Sequence, residues 1–137
     1  MSGLSLLLPL LACTEPSPLD SEPDSEPPEI SAEEQAVVLI LNRDCAACHG
    51  QGSFVAEGLD LSIGVEQLVG VPSTQWPAMM RVEAGHPEDS YLVVKLEDRQ
   101  RELQANGLGE QMPSEEEPLS QEDLDAFYAW IEGLPAE

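Results

Sequence analysis

Positive charge is nearly missing from this chain: five Lys and Arg stand against 27 Asp and Glu, a formal charge of −22. A surface of that sign repels phosphate backbones, so nucleic-acid binding is not expected, and any charge-steered partner should offer a basic face. Aromatic residues are almost as scarce, at 4%, thin for a self-sufficient core, and a large apolar body from outside the sequence would make up the deficit. Also missing are a Ser/His/Asp set, a phosphate-cradling glycine loop and a carboxylate metal box. Nothing therefore points to hydrolysis or group transfer, and no small-molecule substrate is expected. With 137 residues the chain has room for one domain and little besides.

Cysteine is rare too: three residues, an odd number that argues against a disulfide framework. Two of them fall in Cys45-Ala46-Ala47-Cys48-His49, with Gly50 next. A Cys-x-x-Cys-His run is the attachment signature of c-type haem: both thiols add to the haem vinyl groups and the histidine becomes an axial iron ligand. Two intervening residues on a helical turn put both sulfurs on one side and bring the next side chain under the iron. A thioredoxin-like dithiol would want a preceding strand in a βαβ pattern, which is not visible. A structural zinc site needs four ligands, and the sequence offers Cys45, Cys48, His49 and at best His86. The expectation is one covalent haem c, held by Cys45 and Cys48 and ligated by His49. It would also be the missing apolar body.

The third cysteine has a separate reading. Leu4 to Ala12 is a short apolar run ending in Leu10-Leu11-Ala12-Cys13, which resembles the lipobox of bacterial lipoproteins. Residues 1–12 then read as a signal peptide and Cys13 as the lipidated residue. The run is too short to span a bilayer as a helix. It departs from the pattern in having no Lys or Arg in Met1 to Gly3, which suggests a start upstream of Met1. An uncleaved apolar tail or an ordinary secretory signal is the alternative. Each signal reading implies export, here to the periplasmic side with a lipid anchor in a membrane, and export agrees with haem attachment outside the cytoplasm. Residues 13–31 are rich in Pro, Ser and acids (Glu15, Asp20, Glu22, Asp24, Glu26, Glu29) and carry no base. Such a segment cannot bury enough apolar surface to offset its ordering entropy, so a disordered linker is expected. At roughly 3 Å per residue it would reach about 50 Å from the anchor.

The folded domain should occupy residues 32–137. Ser31-Ala32-Glu33-Glu34 has capping-box form, and the apolar run from Ala36 to Leu41 follows it, predicting a helix that delivers Cys45 and ends at Gly50-Gln51-Gly52. From Ser53 to Trp76, alternation of Leu59, Leu61, Ile63 and Val65 suggests an extended arm, while Gly58, Gly64 and Gly70 argue for a wrapping loop. Trp76 suits either a haem edge or ordinary core. A helix is expected from about Pro87 to Arg101, burying Leu92, Val93, Leu96 and Leu103, and then a polar loop from Gln104 to Glu117. A last helix starts at Ser120, carries Leu124, Phe127, Tyr128 and Ile131 on one face with Trp130 at its border, and stops at Gly133 and Pro135. The run Glu115-Glu116-Glu117 reads as a solvated charge run or a docking patch.

An iron with His49 on one side needs a sixth ligand or keeps an open position, and this choice decides the function. Met112, Met79, Met80 and His86 are the candidates. Met112 stands before Pro113 in a polar loop where a thioether has little reason to be core, which favours it as ligand. Met79 and Met80 follow Trp76-Pro77 in an apolar patch and fit core packing better. His86 precedes Pro87 at a helix start and could be exposed or a second imidazole ligand.

From about Val38 onward the chain resembles the small mono-haem cytochromes c, in particular their bacterial lipoprotein-type domains. The residues that carry the likeness are Cys45 to Gly50, Val71-Pro72-Ser73, Gly85 to Leu96, Gln111-Met112-Pro113, and Pro118-Leu119-Ser120 leading to Trp130-Ile131. His86 stands where such domains often have Asp. The resemblance implies an all-α cytochrome c-like fold, its first and last helices crossing around the haem and long loops wrapping it, with Met112 as distal ligand. It also implies a membrane-tethered carrier of single electrons between redox proteins, and no enzyme. Two alternatives stand beside it. One is an open or labile iron acting on peroxide or a diatomic gas, for which no distal His-Arg pair is evident. The other is a haem-bearing docking or sensing lipoprotein without electron flux.

Overall fold

The computed structural model describes residues 30–50, 55–114 and 117–136. The apolar run at 1–12, Cys13, almost all of the acidic linker, and Glu115 and Glu116 lie outside the described residues. Within them the fold is all-helical, without a strand. No described helix is long and apolar enough to cross a membrane.

The first helix, α1 (Ala32–Ile40), starts as the capping pattern demands: the Ser31 hydroxyl accepts the Glu34 amide at 3.0 Å. Glu33 and Glu34 in the first turn suit the positive end of the helix dipole. Val37 and Ile40 turn inward, and Leu39 turns out to solvent. The chain then widens into one π-helical stretch, Leu41–Cys45, before a last turn, α2 (Ala46–His49). The expected helix therefore carries the whole Cys-x-x-Cys-His run. Cys45 closes the π segment and the other four motif residues form the turn that follows; π segments of this kind are frequent at functional sites.

The helix ends at Gly50, which turns extended, and only glycine fits there, since a β-carbon would overlap the carbonyl oxygen of Ala46. The region from 55 to 67 is not an extended arm. It forms three short 3₁₀ turns, Ala56–Gly58, Leu61–Ile63 and Val65–Gln67, so the glycines decide the geometry over the alternating pattern. Leu59, Leu61 and Val65 pack on the core while Ile63 is exposed. Residues 68–73 then lie against 79–82, with isolated bridges Val69–Val82 and Pro72–Met80.

The helix expected from Pro87 to Arg101 is broken into three. A 3₁₀ turn (Pro87–Asp89) is followed by α3 (Tyr91–Leu96) and a second 3₁₀ turn (Gln100–Leu103). Ser90 breaks it at the start: fully buried and extended, its hydroxyl accepts the Glu83 amide at 2.9 Å and donates to the His86 carbonyl at 2.9 Å. Asp98 breaks it at the end, with φ at +58°, a left-handed conformation no helix continues through. The last helix, α4 (Gln121–Gly133), matches its pattern, with Ser120 capping the Asp123 amide and Phe127, Trp130 and Ile131 buried. It packs against α1, and their apolar faces meet Leu68, Val82, Val93 and Leu96 in one core.

Candidate functional site

Leu41, Leu59, Leu61, Leu68, Leu92 and Leu96 wall an open, mostly apolar cleft of about 720 Å³, its mouth included. Three residues singled out in the sequence line it: Cys45 at the end of the π segment, His49 at the end of α2, and Met112 from the loop before α4. Met112 is far from the other two along the chain, so the fold and not local sequence brings them together.

His49 is oriented. Its Nδ1 lies 3.1 Å from the carbonyl oxygen of Ala56, an acceptor, so Nδ1 carries the proton and Nε2 keeps its lone pair for a metal. That second hydrogen bond is how ligating imidazoles are commonly fixed in tautomer and direction. Met112 is oriented through α3: its amide donates to the Lys95 carbonyl at 3.0 Å, and the Gln111 side chain donates to the Leu96 carbonyl at 2.8 Å. The Lys95 ammonium reaches back to the Leu108 carbonyl at 2.7 Å, so the loop is tied to α3 on both sides of Gly109.

The other sequence candidates are elsewhere. Met79, Met80, His86 and Trp76 line a separate groove. His86 is exposed there beside Glu88 and Asp89, so it does not share the cleft with His49, and Trp76 does not face it either. Cys48 is exposed and is not part of the cleft wall, whereas Cys45 is half-buried on it. The motif's two sulfurs thus differ in setting, although one helical turn separates them.

Sequence reading missed the polar side of the cleft, formed by Ser73, Thr74, Gln75, Arg81, Tyr91 and Lys95, with Glu57 opposite in sign. The Tyr91 hydroxyl donates to Gln75 Oε1 at 3.1 Å, and burial pushes its pKa up, with a smaller push from Glu57. Burial pulls the Lys95 pKa down, against the opposing pull of Asp98, Glu57 and Glu110. Lys95 reads as a solvent-facing helix residue, yet it is 5% exposed; only its lack of an acid three or four residues earlier hints otherwise.

These residues suit a haem: an apolar enclosure, a thiol on its wall, an imidazole with its free nitrogen fixed, and a thioether from another element. Comparison with known proteins finds no matching family model, curated protein or solved structure.

Proposed function

We propose that this chain is a c-type haem protein of cytochrome c-like fold that carries single electrons between redox proteins outside the cytoplasm, tethered to a membrane through a lipid on Cys13. One observation carries this reading. Of the four candidate sixth ligands, Met112 alone lines the same cleft as His49. Bound there, the iron would supply one-electron redox chemistry, at a potential that a methionine ligand raises.

The chain's own residues set the conditions. His49 offers Nε2 because Ala56 holds Nδ1–H. Met112 offers its sulfur because two hydrogen bonds dock its loop on α3. Cys45 supplies a thiol on the wall, and Cys48 supplies the second by the spacing of the motif. The leucines give the ring an apolar seat. With His49 and Met112 both bound, the iron would have no open position for peroxide, a gas or any other substrate, which would separate a carrier from an enzyme. The charge of −22 steers partners with a basic docking face, an attraction that salt weakens.

The test is maturation of the full chain in a host with haem-attachment machinery. One haem per chain that resists acid-acetone extraction is expected. Cys45→Ala and Cys48→Ala should each weaken or abolish stable attachment. A chain recovered without covalent haem overturns the proposal.

A further inference from the structure

Arg81 and Lys95 both line the cleft. The chain has five cations and 27 acids, yet among the described residues no carboxylate lies within ion-pair distance of either. Arg43 and Arg99 do find partners, in Asp44 and Asp123 and in Glu97 and Glu102. Lys95 spends one of its three donors, on the Leu108 carbonyl. Arg81 donates to three neutral oxygens: the Gln67 carbonyl at 3.0 Å, the Thr74 hydroxyl at 3.4 Å and the Gly58 carbonyl at 3.5 Å. A nearly dry ammonium is costly unless an anion meets it. Asp98, Glu57 on the same cleft, and Glu110 act on Lys95 from a distance, and all three are themselves exposed.

We propose that Arg81 and Lys95 receive the two carboxylates of the haem. This rests on the haem reading above and deepens it. The cleft is amphipathic in the same sense as that cofactor: its leucines suit the ring, and two cations with no ion-pair partner among the described residues, together with Thr74, Gln75 and Tyr91, suit its acid groups. It also gives a task to two of the chain's few cations. The cations offset negative charge that would otherwise favour the oxidised iron, so their removal lowers the reduction potential.

The experiment is a redox titration of the full-length protein with haem attached, comparing wild type with Arg81→Gln, Lys95→Gln and the double variant. Arg81→Lys and Lys95→Arg retain the charge and serve as rescues. Each neutral variant should lower the equilibrium constant for reduction about tenfold, or about 59 mV for a one-electron couple, with an unchanged axial-ligand spectrum. The charge-retaining variants should stay within about twofold of wild type. Neutral variants with wild-type potentials overturn the assignment. Should a variant fail to mature, the oxidised-minus-reduced infrared spectrum of the wild type decides: ionised, hydrogen-bonded haem carboxylates are expected, and freely solvated ones contradict the proposal. Absence of covalent haem would remove the function proposed above together with this assignment. Covalent haem with unshifted potentials would remove this assignment alone.

Discussion

At the scale of the residue, the account turns on which side chains face the cleft. Met112→Ala should leave haem covalently bound but open the sixth position, read as new high-spin absorption; an unchanged low-spin spectrum would eliminate Met112 as ligand. Gly50→Ala places a β-carbon against the Ala46 carbonyl and should cost about 1–3 kcal/mol, the usual range for forced overpacking, seen as a lower unfolding midpoint. Met112 stood out in the sequence as a thioether before proline in a polar loop, and the structure places it on the cleft wall, packed at the edge of the core. Lys95 did not stand out: it becomes buried only when the 108–112 loop folds over it, a tertiary event that a helical pattern does not record. The Ala56 carbonyl that orients His49 was equally hidden, since nothing in residues 51–58 marks a particular backbone oxygen.

At the scale of the element, α1 and α4 frame the site and both were readable from caps and spacing. Ser31 and Ser120 each accept the amide three residues on, so alanine at either position should cost about 1 kcal/mol in denaturant melts. Phe127, fully buried on α4, should cost about 3–5 kcal/mol as alanine. The Asp123 carboxyl is held below its usual 3.8 by the Ser120 hydroxyl first and then by Arg43, which ties the start of α4 to the π segment. A depressed folded pKa adds stability above the unfolded value, and that contribution is lost as pH falls through the folded one. Asp123→Asn should therefore melt below wild type at neutral pH, with the gap closing as pH drops beneath 3.8. The middle of the chain was less legible. Ser90 hydrogen bonds and the left-handed Asp98 split one expected helix, because a buried hydroxyl and a local φ outweigh helical spacing.

At the scale of the whole molecule, the dominant property is the charge of −22, plain from composition. If it steers a basic redox partner, the second-order rate of reduction should fall about tenfold or more as salt rises from about 0.01 M to about 0.15 M, where the screening length shrinks from about 30 Å to about 8 Å. A rate indifferent to salt would point to docking through apolar contacts. The all-helical class and the joining of first and last helices were readable because both helices carry strong caps and apolar faces. The cleft was not, since the part of its wall between residues 57 and 81 is assembled from 3₁₀ turns and loops without a period of their own.

The most direct test of the central claim, iron held between His49 and Met112, is the visible spectrum of the matured full-length protein, oxidised and reduced, with and without carbon monoxide. Iron so held should give a c-type reduced band, a weak red sulfur-to-iron band in the oxidised form, and little binding of the gas. Ready binding of carbon monoxide with no sulfur band would contradict it.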